Sequence, residues 1–348
     1  MEKVEYLIVG QGIAGGLLAY ELNKTGKSIL IINHETSNTS SNKAAGIYNP
    51  ITGRKMVKTW LADELFVNLE SFYANLERAL GAKFLYPKPI YRPFYGHEEQ
   101  NDWAGRSSEP GYTRFIKSIH TKSRGIEGVL DEFGGLELNH SGYVNLPDML
   151  SALKLFFQNK GLYRSGVFQY ENLEILEDRV IYQNIEAEKV VFCEGPAVGQ
   201  NPFWNKLPFK PVKGEILEID TSLPEDVIVN RGVFILPKNG YFSVGSTYDH
   251  QNLNYEPSAD GIKNLKERLG KVYNGGYEIV KESAGIRPAT YDRKPFIGFH
   301  SKYPNIGIFN GFGTKGVSLV PFFATQLVNY LNGDGEIMSG VDVSRVNL

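Results

Sequence analysis

The start of the chain alternates short apolar runs with a helical pattern. Residues 4–9 form an apolar run rich in β-branched side chains that stops at Gly10, which is typical of a buried parallel strand. Apolar residues then recur at helical spacing over residues 13–22, and a second apolar run covers residues 28–32. This pattern predicts a βαβ unit, the building block of a doubly wound parallel sheet.

Two further helices are predicted in the first half of the chain. Apolar positions in residues 56–80 trace one helical face, and Gly81 marks the end of that helix. A second amphipathic helix is predicted within residues 145–161. Residues 96–111 lie between the two, and their polar, glycine-rich sequence predicts loops and edge strands.

The second half of the chain is dominated by strand patterns. Apolar and polar residues alternate with a period of two in residues 215–220, 227–236 and 241–247. Together with a hairpin turn at Asn239-Gly240, this alternation predicts an antiparallel sheet. Residues 189–193 and 306–309 are instead short apolar runs typical of buried parallel strands, and the second of them leads into a final helix.

The order of these patterns predicts the fold class and the domain organisation. We expect an α/β fold, α+β overall, in which a Rossmann-type dinucleotide-binding domain carries an inserted antiparallel β-rich domain. Residues 1–80, 140–205 and 281–348 are assigned to the first domain, and residues 81–139 and 206–280 to the second. Both predicted domains are therefore discontinuous in sequence.

Composition narrows the possible functions. The 348-residue chain has a formal net charge of -2, so no global field attracts it to nucleic acid or anionic lipid. The single cysteine, Cys193, excludes an intramolecular disulfide and a cysteine-based zinc site, and the six histidines show no metal spacing. We predict no metal site, no membrane span and, since the N-terminus lacks a basic signal region, a cytoplasmic protein.

A glycine-rich motif follows the first predicted strand. The segment Gly10-Gln11-Gly12-Ile13-Ala14-Gly15 fits G-x-G-x-x-G between a strand and a helix. The first glycine makes a tight turn, the second lets the backbone approach a pyrophosphate, and the third allows close packing of helix and strand. Exposed amides at the helix N-terminus would hold the anion, although a plain glycine-rich turn is the alternative.

The residue that usually binds the adenosine ribose is not evident. An acidic side chain is expected at the end of the second strand, but this chain has Asn33 and His34 there. The nearest carboxylate is Glu35, and Asn33 also has the capacity to bond a hydroxyl. The sequence does not decide among the three residues.

A second glycine-rich turn, residues 310–316, joins the last predicted strand to the last helix. The first motif alone does not separate NAD from FAD, but a flavin is long enough to need a cradle for its ring as well. A helix N-terminus there would stabilise the negative charge that reduction places on the ring. The alternative is a loop that uses glycine merely to turn. The candidate residues are Gly311, Gly313, Thr314, Lys315, Gly316, Val317 and Ser318.

At this point the chain resembles a known family, the D-amino-acid-oxidase-like FAD oxidoreductases. That family includes glycine oxidase, sarcosine oxidase and the oxidase half of a bifunctional tRNA-modifying enzyme. The resemblance extends over nearly the whole chain, and its landmarks appear in the family's order. They are VGQGIAGG, SSNKAAG ahead of YNP, VNLPDMLSAL, KVVFCEGPAVG, PVKGEI, GIRPATYDRKPFIG and FNGFGTKGVSLVP.

The resemblance implies an FAD-binding domain built from both termini and a β-rich substrate-binding domain, with substrate lying on the flavin between them. The FAD is expected to be non-covalent, because Cys193 falls in a predicted strand rather than beside the ring. The resemblance extends the expected cofactor contacts to Ser41, Asn42, Ala44, Ala45, Gly46, Gly195, Gly285 and Arg287.

The resemblance also implies the substrate site. Arg287 matches the arginine that grips the substrate carboxylate, a role that suits the planar, permanently charged guanidinium. A structural ion pair is the alternative for Arg287. Phe234 stands where many relatives have a tyrosine, and Tyr248 is the candidate that compensates for the lost hydroxyl. Lys315 is placed where a cation would assist a reduced flavin or oxygen, with a solvated surface role as its alternative.

The function implied is oxidation of the C–N bond of a small amino acid or N-substituted glycine by hydride transfer to flavin N5, with oxygen or a quinone as electron acceptor. One alternative is oxidation of a carboxymethylamino group on a tRNA wobble uridine, since residues 54–64 and 247–250 resemble the tRNA-modifying oxidase. The near-neutral charge argues mildly against tRNA as a partner. The other alternative is a non-catalytic flavoprotein. The exact amine and the oligomeric state are not predicted.

Overall fold

The computed structural model describes residues 1–53 and 55–347. Arg54, the first residue of the stretch that resembles the tRNA-modifying oxidase, therefore lies outside the described residues. The described residues form seven α-helices, whose lengths range from one turn in α2 to 19 residues in α3. The helices are α1 Ile13–Lys24, α2 Ser40–Lys43, α3 Ala62–Leu80, α4 His97–Arg106, α5 Leu146–Asn159, α6 Ala259–Leu269 and α7 Gly316–Leu331.

The strands of the described residues form two eight-stranded sheets, a three-stranded sheet and a two-stranded sheet. In chain order they are β1 Glu2–Val9, β2 Ile29–Asn33, β3 Ile47–Tyr48, β4 Ile51–Thr52, β5 Val57–Lys58, β6 Leu85–Pro87, β7 Ile90–Pro93, β8 Ile116–His120, β9 Gly135–Leu138, β10 Gly142–Val144, β11 Tyr163–Ser165, β12 Leu173–Ile175, β13 Val180–Tyr182, β14 Ile185–Phe192, β15 Val212–Asp220, β16 Ile228–Arg231, β17 Val233–Lys238, β18 Tyr241–Gly245, β19 Glu278–Arg287, β20 Phe296–Phe299 and β21 Ile306–Asn310.

The first eight-stranded sheet joins the two ends of the chain. Strand β1 pairs in parallel with β2 on one side and with β14 on the other, and β14 pairs in parallel with β21. Helices α1, α3, α5 and α7 contact one another beside this sheet and share its largest apolar core. The central strands have fully buried apolar residues because both faces of the sheet are covered. This arrangement confirms the predicted Rossmann-type layer.

The second eight-stranded sheet runs in the order β19-β15-β18-β17-β16-β7-β9-β8 and is antiparallel except where β16 pairs with β7. Asn239 and Gly240 both have positive φ, 54° and 79°, and connect β17 to β18 as the predicted hairpin turn. The predicted α/β class with an antiparallel sheet is confirmed. The domain bounds stay a prediction, and the proposed bound at residue 281 falls inside β19, which remains in this sheet as far as Arg287.

Three local expectations were wrong. Helix α3 begins at Ala62 rather than near residue 56, because Met56 and Leu61 adopt positive φ of 49° and 58°. Residues 96–111, expected as loops and edge strands, contain helix α4, which buries Trp103 and exposes most other side chains. Helix α6 was not predicted, although the Ser258 hydroxyl caps its N-terminus by accepting the Gly261 amide at 3.1 Å.

No helix among the described residues combines the length and the apolar character needed to cross a bilayer. Those residues also contain no cluster of three or more His, Cys, Asp or Glu side chains with the geometry to hold a metal ion.

Candidate functional site

A cleft of about 1520 Å³ is lined by residues of both large sheets. Its volume exceeds the range of about 300–1,000 Å³ found for sites that bind one small molecule. It extends from the junction of β1 and α1, past the junction of β21 and α7, to the end of β19 and the strands β17 and β18. A cleft of this size and extent has room for a long ligand and a second small one.

The first glycine turn forms one wall of the cleft. Gly10 has a φ of 96°, and a Cβ there would lie 2.7 Å from the carbonyl oxygen of Cys193. A Cβ on Gly15 would lie 1.9 Å from the carbonyl oxygen of Gly10, so α1 packs directly against the turn. Gly12, the N-cap residue of α1, offers no side-chain cap, and the Ile13 amide donates to the Ser41 hydroxyl at 3.1 Å. The helix N-terminus therefore opens onto the cleft as an anion site.

The second glycine turn lies beside the first. A Cβ on Gly316, the first residue of α7, would lie 3.4 Å from Cγ2 of Ile13, the first residue of α1. The Asn310 side chain accepts the Gly311 amide at 2.7 Å and thereby holds the tight turn, in which Gly311 and Gly313 have positive φ. Helix α7 also lacks a side-chain cap. Two helix N-termini therefore open onto one cleft, and each of them favours negative charge near it.

The residues predicted as candidates for binding the adenosine ribose differ in the side chains and amides that they contact. The Asn33 side chain accepts the Gln11 amide at 2.7 Å and donates to the Tyr163 hydroxyl at 3.1 Å, so it braces the first glycine turn. Asn33 and His34 line the cleft. The Glu35 carboxylate pairs with Lys154 at 2.8 Å, and this contact lowers the pKa of Glu35.

Residues 40–46 connect the glycine turns to the part of the cleft at the end of β19. The Ser40 hydroxyl donates to the carbonyl oxygen of Ile286, and a Cβ on Gly285 would lie 2.8 Å from the Lys43 Cβ. Gly46, with a φ of 80°, leaves room for the carbonyl oxygen of Val144, which a Cβ would approach to 2.0 Å. This segment is therefore fitted tightly between β10 and the end of β19.

Most candidate cofactor residues meet in this cleft. The exceptions are Gly15, which packs behind the turn, Glu35, which pairs with Lys154, and Asn42, whose side chain donates to the carbonyl oxygen of Thr36 at 3.4 Å. The candidates that line the cleft are Gly10, Gly12, Ile13, Ala14, Asn33, His34, Ser41, Ala44, Ala45, Gly46, Gly195, Gly285, Arg287, Gly311, Gly313, Thr314, Lys315, Gly316, Val317 and Ser318. Cys193 also lines it but is buried, and burial raises the pKa of its thiol.

The charge of the cleft differs from the charge of the chain. Among the described residues that line it, nine are Lys or Arg and only two, Glu194 and Asp292, are acidic. Burial raises the pKa of Glu194, which favours its neutral form. The near-neutral chain thus concentrates positive charge along this cleft, an arrangement that attracts anions.

Arg287 projects from the end of β19 into the cleft. Its guanidinium lies over Gly214, where a Cβ would approach Nη2 to 1.8 Å. Nη2 donates to the Ser246 hydroxyl at 2.7 Å and Nη1 to the carbonyl oxygen of Thr247 at 3.3 Å, while the Tyr248 ring centroid lies 4.8 Å from the guanidinium carbon. No carboxylate of residues 1–53 or 55–347 lies within ion-pair distance of Arg287. Its charge is therefore held by neutral partners, and burial lowers its pKa.

A fully buried ion pair on β15 supports the backbone that Arg287 contacts. Lys213 and Glu215, on the same face of β15, lie 3.3 Å apart, with side chains 1% and 3% exposed. Glu215 accepts from the Thr247 hydroxyl at 3.0 Å, and the carbonyl oxygens of Thr247 and Lys213 are acceptors for Arg287. The ion pair thus fixes the backbone that orients the guanidinium.

Lys213→Met is expected to lower the free energy of unfolding by about 3–5 kcal/mol, because it leaves the Glu215 carboxylate buried without its counter-charge. The double variant Lys213→Met/Glu215→Gln should recover part of this loss, since no lone charge remains. Urea unfolding of the three proteins measures the difference. A double variant less stable than Lys213→Met would contradict the assignment of a paired buried charge.

The other candidate catalytic residues lie around Arg287 and the second glycine turn. Phe234 on β17 contacts Gly245, where a Cβ would lie 2.9 Å from the Phe234 ring, and both residues line the cleft. The Tyr248 side chain is 64% exposed, so its hydroxyl lies at the mouth of the cleft. Lys315 Nζ lies 3.3 Å from the hydroxyl oxygen of Thr59 and 3.4 Å from that of Thr52. Burial and the nearby Arg293 lower the pKa of Lys315.

Sequence reasoning missed several residues of the cleft. Arg268 on α6 lines it, as does the exposed ring of Tyr291. No local signal marks these residues, because each belongs to an element whose position in the cleft depends on the tertiary fold. The PVKGEI segment is one of the landmarks of the family resemblance, and its Lys213 and Glu215 form the buried ion pair that supports Arg287.

Comparisons with known proteins identify the family of this chain. The model of the DAO family, described as FAD dependent oxidoreductase, matches residues 5–330. The chain is 21% identical over 385 residues to the tRNA 5-methylaminomethyl-2-thiouridine biosynthesis bifunctional protein MnmC of Legionella pneumophila, covering 95% of this chain and 55% of that protein. It is 22% identical over 362 residues to the glycine oxidase of Pseudomonas aeruginosa, covering 94% of each. The chain thus spans about half the length of the Legionella protein.

A solved structure shows the same fold. The crystal structure of glycine oxidase from Geobacillus kaustophilus matches with a TM-score of 0.79 and 22% identity, covering 100% of both chains. The identity is low, so the match shows the fold and not a particular substrate.

Proposed function

Because the chain belongs to the DAO family of FAD-dependent oxidoreductases, we propose that it oxidises the C–N bond of a small amino acid or an N-substituted glycine. Its cofactor is FAD, and it is an oxidoreductase, as the sequence predicts. The proposal concerns the substrate and the residues that bind it.

The cleft fits FAD at both ends. The open N-terminus of α1, beside Gly10 and Gly12, would hold the pyrophosphate. A Cβ on Gly10 would lie 2.7 Å from the carbonyl oxygen of Cys193 and a Cβ on Gly12 would lie 3.2 Å from the Ser41 hydroxyl oxygen, so glycine at both positions keeps this turn compact. The N-terminus of α7, with the amides that follow Gly313, would lie opposite the edge of the ring that becomes negative on reduction. Cys193 lies behind the first turn with a protonated thiol, which supports a non-covalent cofactor.

The observation that carries the substrate proposal is the state of Arg287. A guanidinium that is partly buried, lines a cleft and has only neutral partners among the described residues favours an anion as its missing partner. A carboxylate matches its remaining N–H groups in a charge-assisted pair. The structure therefore favours a carboxylate ligand over the alternative in which Arg287 forms a structural ion pair.

The side chains of this chain position the substrate. When bound, FAD supplies the acceptor at N5 for the hydride of the substrate α-carbon. Arg287 holds the carboxylate, so rotation of the α-carbon relative to the cleft is restricted. Phe234 gives the pocket an apolar wall, and Tyr248 covers the guanidinium from the solvent side. No side chain is required as an acid or base if the amine binds in its neutral form, and the imine product would hydrolyse to glyoxylate or a keto acid and an amine.

Product analysis tests this proposal. Purified protein is incubated in air with glycine, sarcosine, proline or D-alanine, and keto acid and amine are quantified. We expect at least one of these amino acids to give its keto acid or glyoxylate, or for proline its cyclic imine. Consumption of an amine lacking a carboxylate, with no reaction of the four amino acids, would contradict the role given to Arg287.

Lys315 is proposed to assist the reoxidation of the enzyme by oxygen. Lys315→Met should slow oxygen consumption about tenfold or more, and reduction by substrate should change much less, because Arg287 rather than Lys315 is proposed to hold the substrate. In the unmodified protein, oxygen consumption should fall as the pH rises through the pKa of Lys315, which lies below the usual lysine value of about 10.4. Equal oxygen rates in the two proteins would contradict this role.

A tRNA substrate is the second candidate, supported by the rim of the cleft. Tyr95, Tyr248 and Tyr291 are 54%, 64% and 76% exposed there, and each ring has a Lys or Arg cation near its face. Exposed aromatic rings beside cations suit unstacked bases and phosphates. Filter binding of tRNA at two salt concentrations tests this candidate, which requires a strong loss of affinity at the higher salt.

A further inference from the structure

A second arginine faces the same stretch of the cleft as Arg287. Arg268, near the end of α6, donates from Nη1 to the carbonyl oxygen of Ser246 at 3.0 Å. Arg287 donates to the hydroxyl of that same residue at 2.7 Å. Both arginines line the cleft, and each of them is a hydrogen-bond partner of Ser246.

The partners of Arg268 are all uncharged. Its other hydrogen bonds go to the Asn264 side chain at 3.3 Å and to the carbonyl oxygen of Gly232. No carboxylate of the described part of the chain lies within ion-pair distance of Arg268, and burial lowers the pKa of its guanidinium. Three contacts leave two of its five N–H groups for a further acceptor.

The buried Lys213–Glu215 ion pair shows how a structural cation of the same sheet is neutralised, in contrast to Arg268 and Arg287. Lys213, which has a structural role, has its own counter-charge in Glu215 at 3.3 Å. Arg268 and Arg287 are half-buried cations without one, and both lie on the cleft side. Because taking a charge out of water is costly unless it is paired, the missing counter-charges are best supplied by the ligand.

We propose that Arg268 binds a second acidic group of the substrate, so that the preferred substrate is an N-substituted glycine whose N-substituent carries a carboxylate. This inference rests on the proposed function, in which Arg287 holds the first carboxylate. Arg268 is then a specificity-determining residue: it adds affinity for dicarboxylic amines and contributes little to the binding of glycine or sarcosine.

Two stable ether analogues test the inference by binding alone. Methoxyacetate and diglycolate both replace the amine by an ether oxygen, and they differ only in that diglycolate carries a second carboxylate. Isothermal titration of the FAD-loaded protein should show diglycolate binding about 10- to 100-fold tighter, as expected for an added charge-assisted pair. Equal affinities would overturn the inference, whatever the variants show.

Substitutions of Arg268 test whether this residue binds the second carboxylate of diglycolate. Arg268→Gln should bind both analogues with the methoxyacetate affinity of the unmodified protein, and Arg268→Lys should retain part of the difference. Lys266→Gln, which removes a charge from an exposed position of the same helix, is the matched control and should behave like the unmodified protein. A full diglycolate preference in Arg268→Gln would overturn the inference and leave Arg268 as a tie between α6 and the sheet.

The same titrations separate this inference from the proposed function. Arg287→Gln should weaken both analogues, which supports the first carboxylate site independently of Arg268. Methoxyacetate binding that depends on Arg287, without a diglycolate preference, would overturn only the second site. No binding of either analogue by the unmodified protein would overturn both.

Discussion

Arg287→Met is expected to lower kcat/KM for the amino-acid substrate by about a hundredfold or more, with FAD still bound. The substitution keeps the volume of the aliphatic stem but removes the only groups of this residue that can pair with a carboxylate. Losing one partner of a hydrogen-bonded charge pair costs about 2–5 kcal/mol, and each 1.4 kcal/mol corresponds to about tenfold. Steady-state kinetics with FAD content measured on the same sample give the result.

Lys281→Gln is the matched control for this variant. Lys281 lies on the same strand, β19, but is exposed and pairs with Glu218 at 3.5 Å. It should leave kcat/KM within about twofold, since surface pairs of this kind contribute little. An Arg287→Met protein that keeps its FAD and its full kcat/KM would show that Arg287 does not hold the substrate.

Gly15→Ala is expected to yield protein with little FAD and a free energy of unfolding lower by about 3 kcal/mol or more. The added methyl would lie 1.9 Å from the carbonyl oxygen of Gly10 and 3.0 Å from Cβ of Cys193. Either α1 must move away from the first sheet or the glycine turn must change shape, and both changes displace the amides that would face the pyrophosphate. The ratio of flavin to protein absorbance and the Tm measure the two effects.

Gly16→Ala is the control one residue further along the same helix. A Cβ there would lie 3.3 Å from the Cδ1 end of the Leu153 side chain and 3.8 Å from side-chain carbons of Gln11 and Leu150. We expect near-normal FAD content and a small change in Tm, because a side-chain end adjusts more easily than a backbone carbonyl. If the two variants retained FAD equally well, close packing of the turn would not be what shapes the cofactor site.

The parts of the fold that were predicted from sequence have local causes. β1 and α1 follow from an apolar run that stops at Gly10 and a helical repeat that starts at Ile13. The hairpin at Asn239-Gly240 follows from the positive φ that both residues tolerate. The glycine turns were recognised because backbone conformation restricts which residues fit there, and this restriction is visible in the sequence itself.

The parts that were missed depend on tertiary structure. Helix α4 has no regular apolar face, since Trp103 is its one buried residue, so periodicity does not distinguish it from a loop. The start of α3 depends on Met56 and Leu61 adopting positive φ, which bulky residues rarely do without support from the surrounding fold. The net charge of -2 gave no sign of a basic cleft, because acidic residues elsewhere offset it.

In the proposed substrate site, too, some features are visible in the sequence and others depend on the tertiary structure. Arg287 was found through a resemblance, but its lack of a carboxylate partner is visible only in three dimensions. Arg268 is separated from it by 19 positions and belongs to a helix that the sequence did not predict. Arg268 and Arg287 share Ser246 as a hydrogen-bond partner. Ser246 directly follows β18, and it lies near the end of β19 because β18 and β19 both pair with β15.

Anaerobic mixing of the oxidised protein with sarcosine or iminodiacetate, compared with dimethylamine, tests the central claim most directly. All three are secondary amines, and only the first two carry a carboxylate for Arg287. The account predicts that the visible flavin absorbance bleaches with at least one of the two carboxylated amines and persists with dimethylamine. Bleaching that is as fast with dimethylamine, or no bleaching by any amino acid, would contradict it.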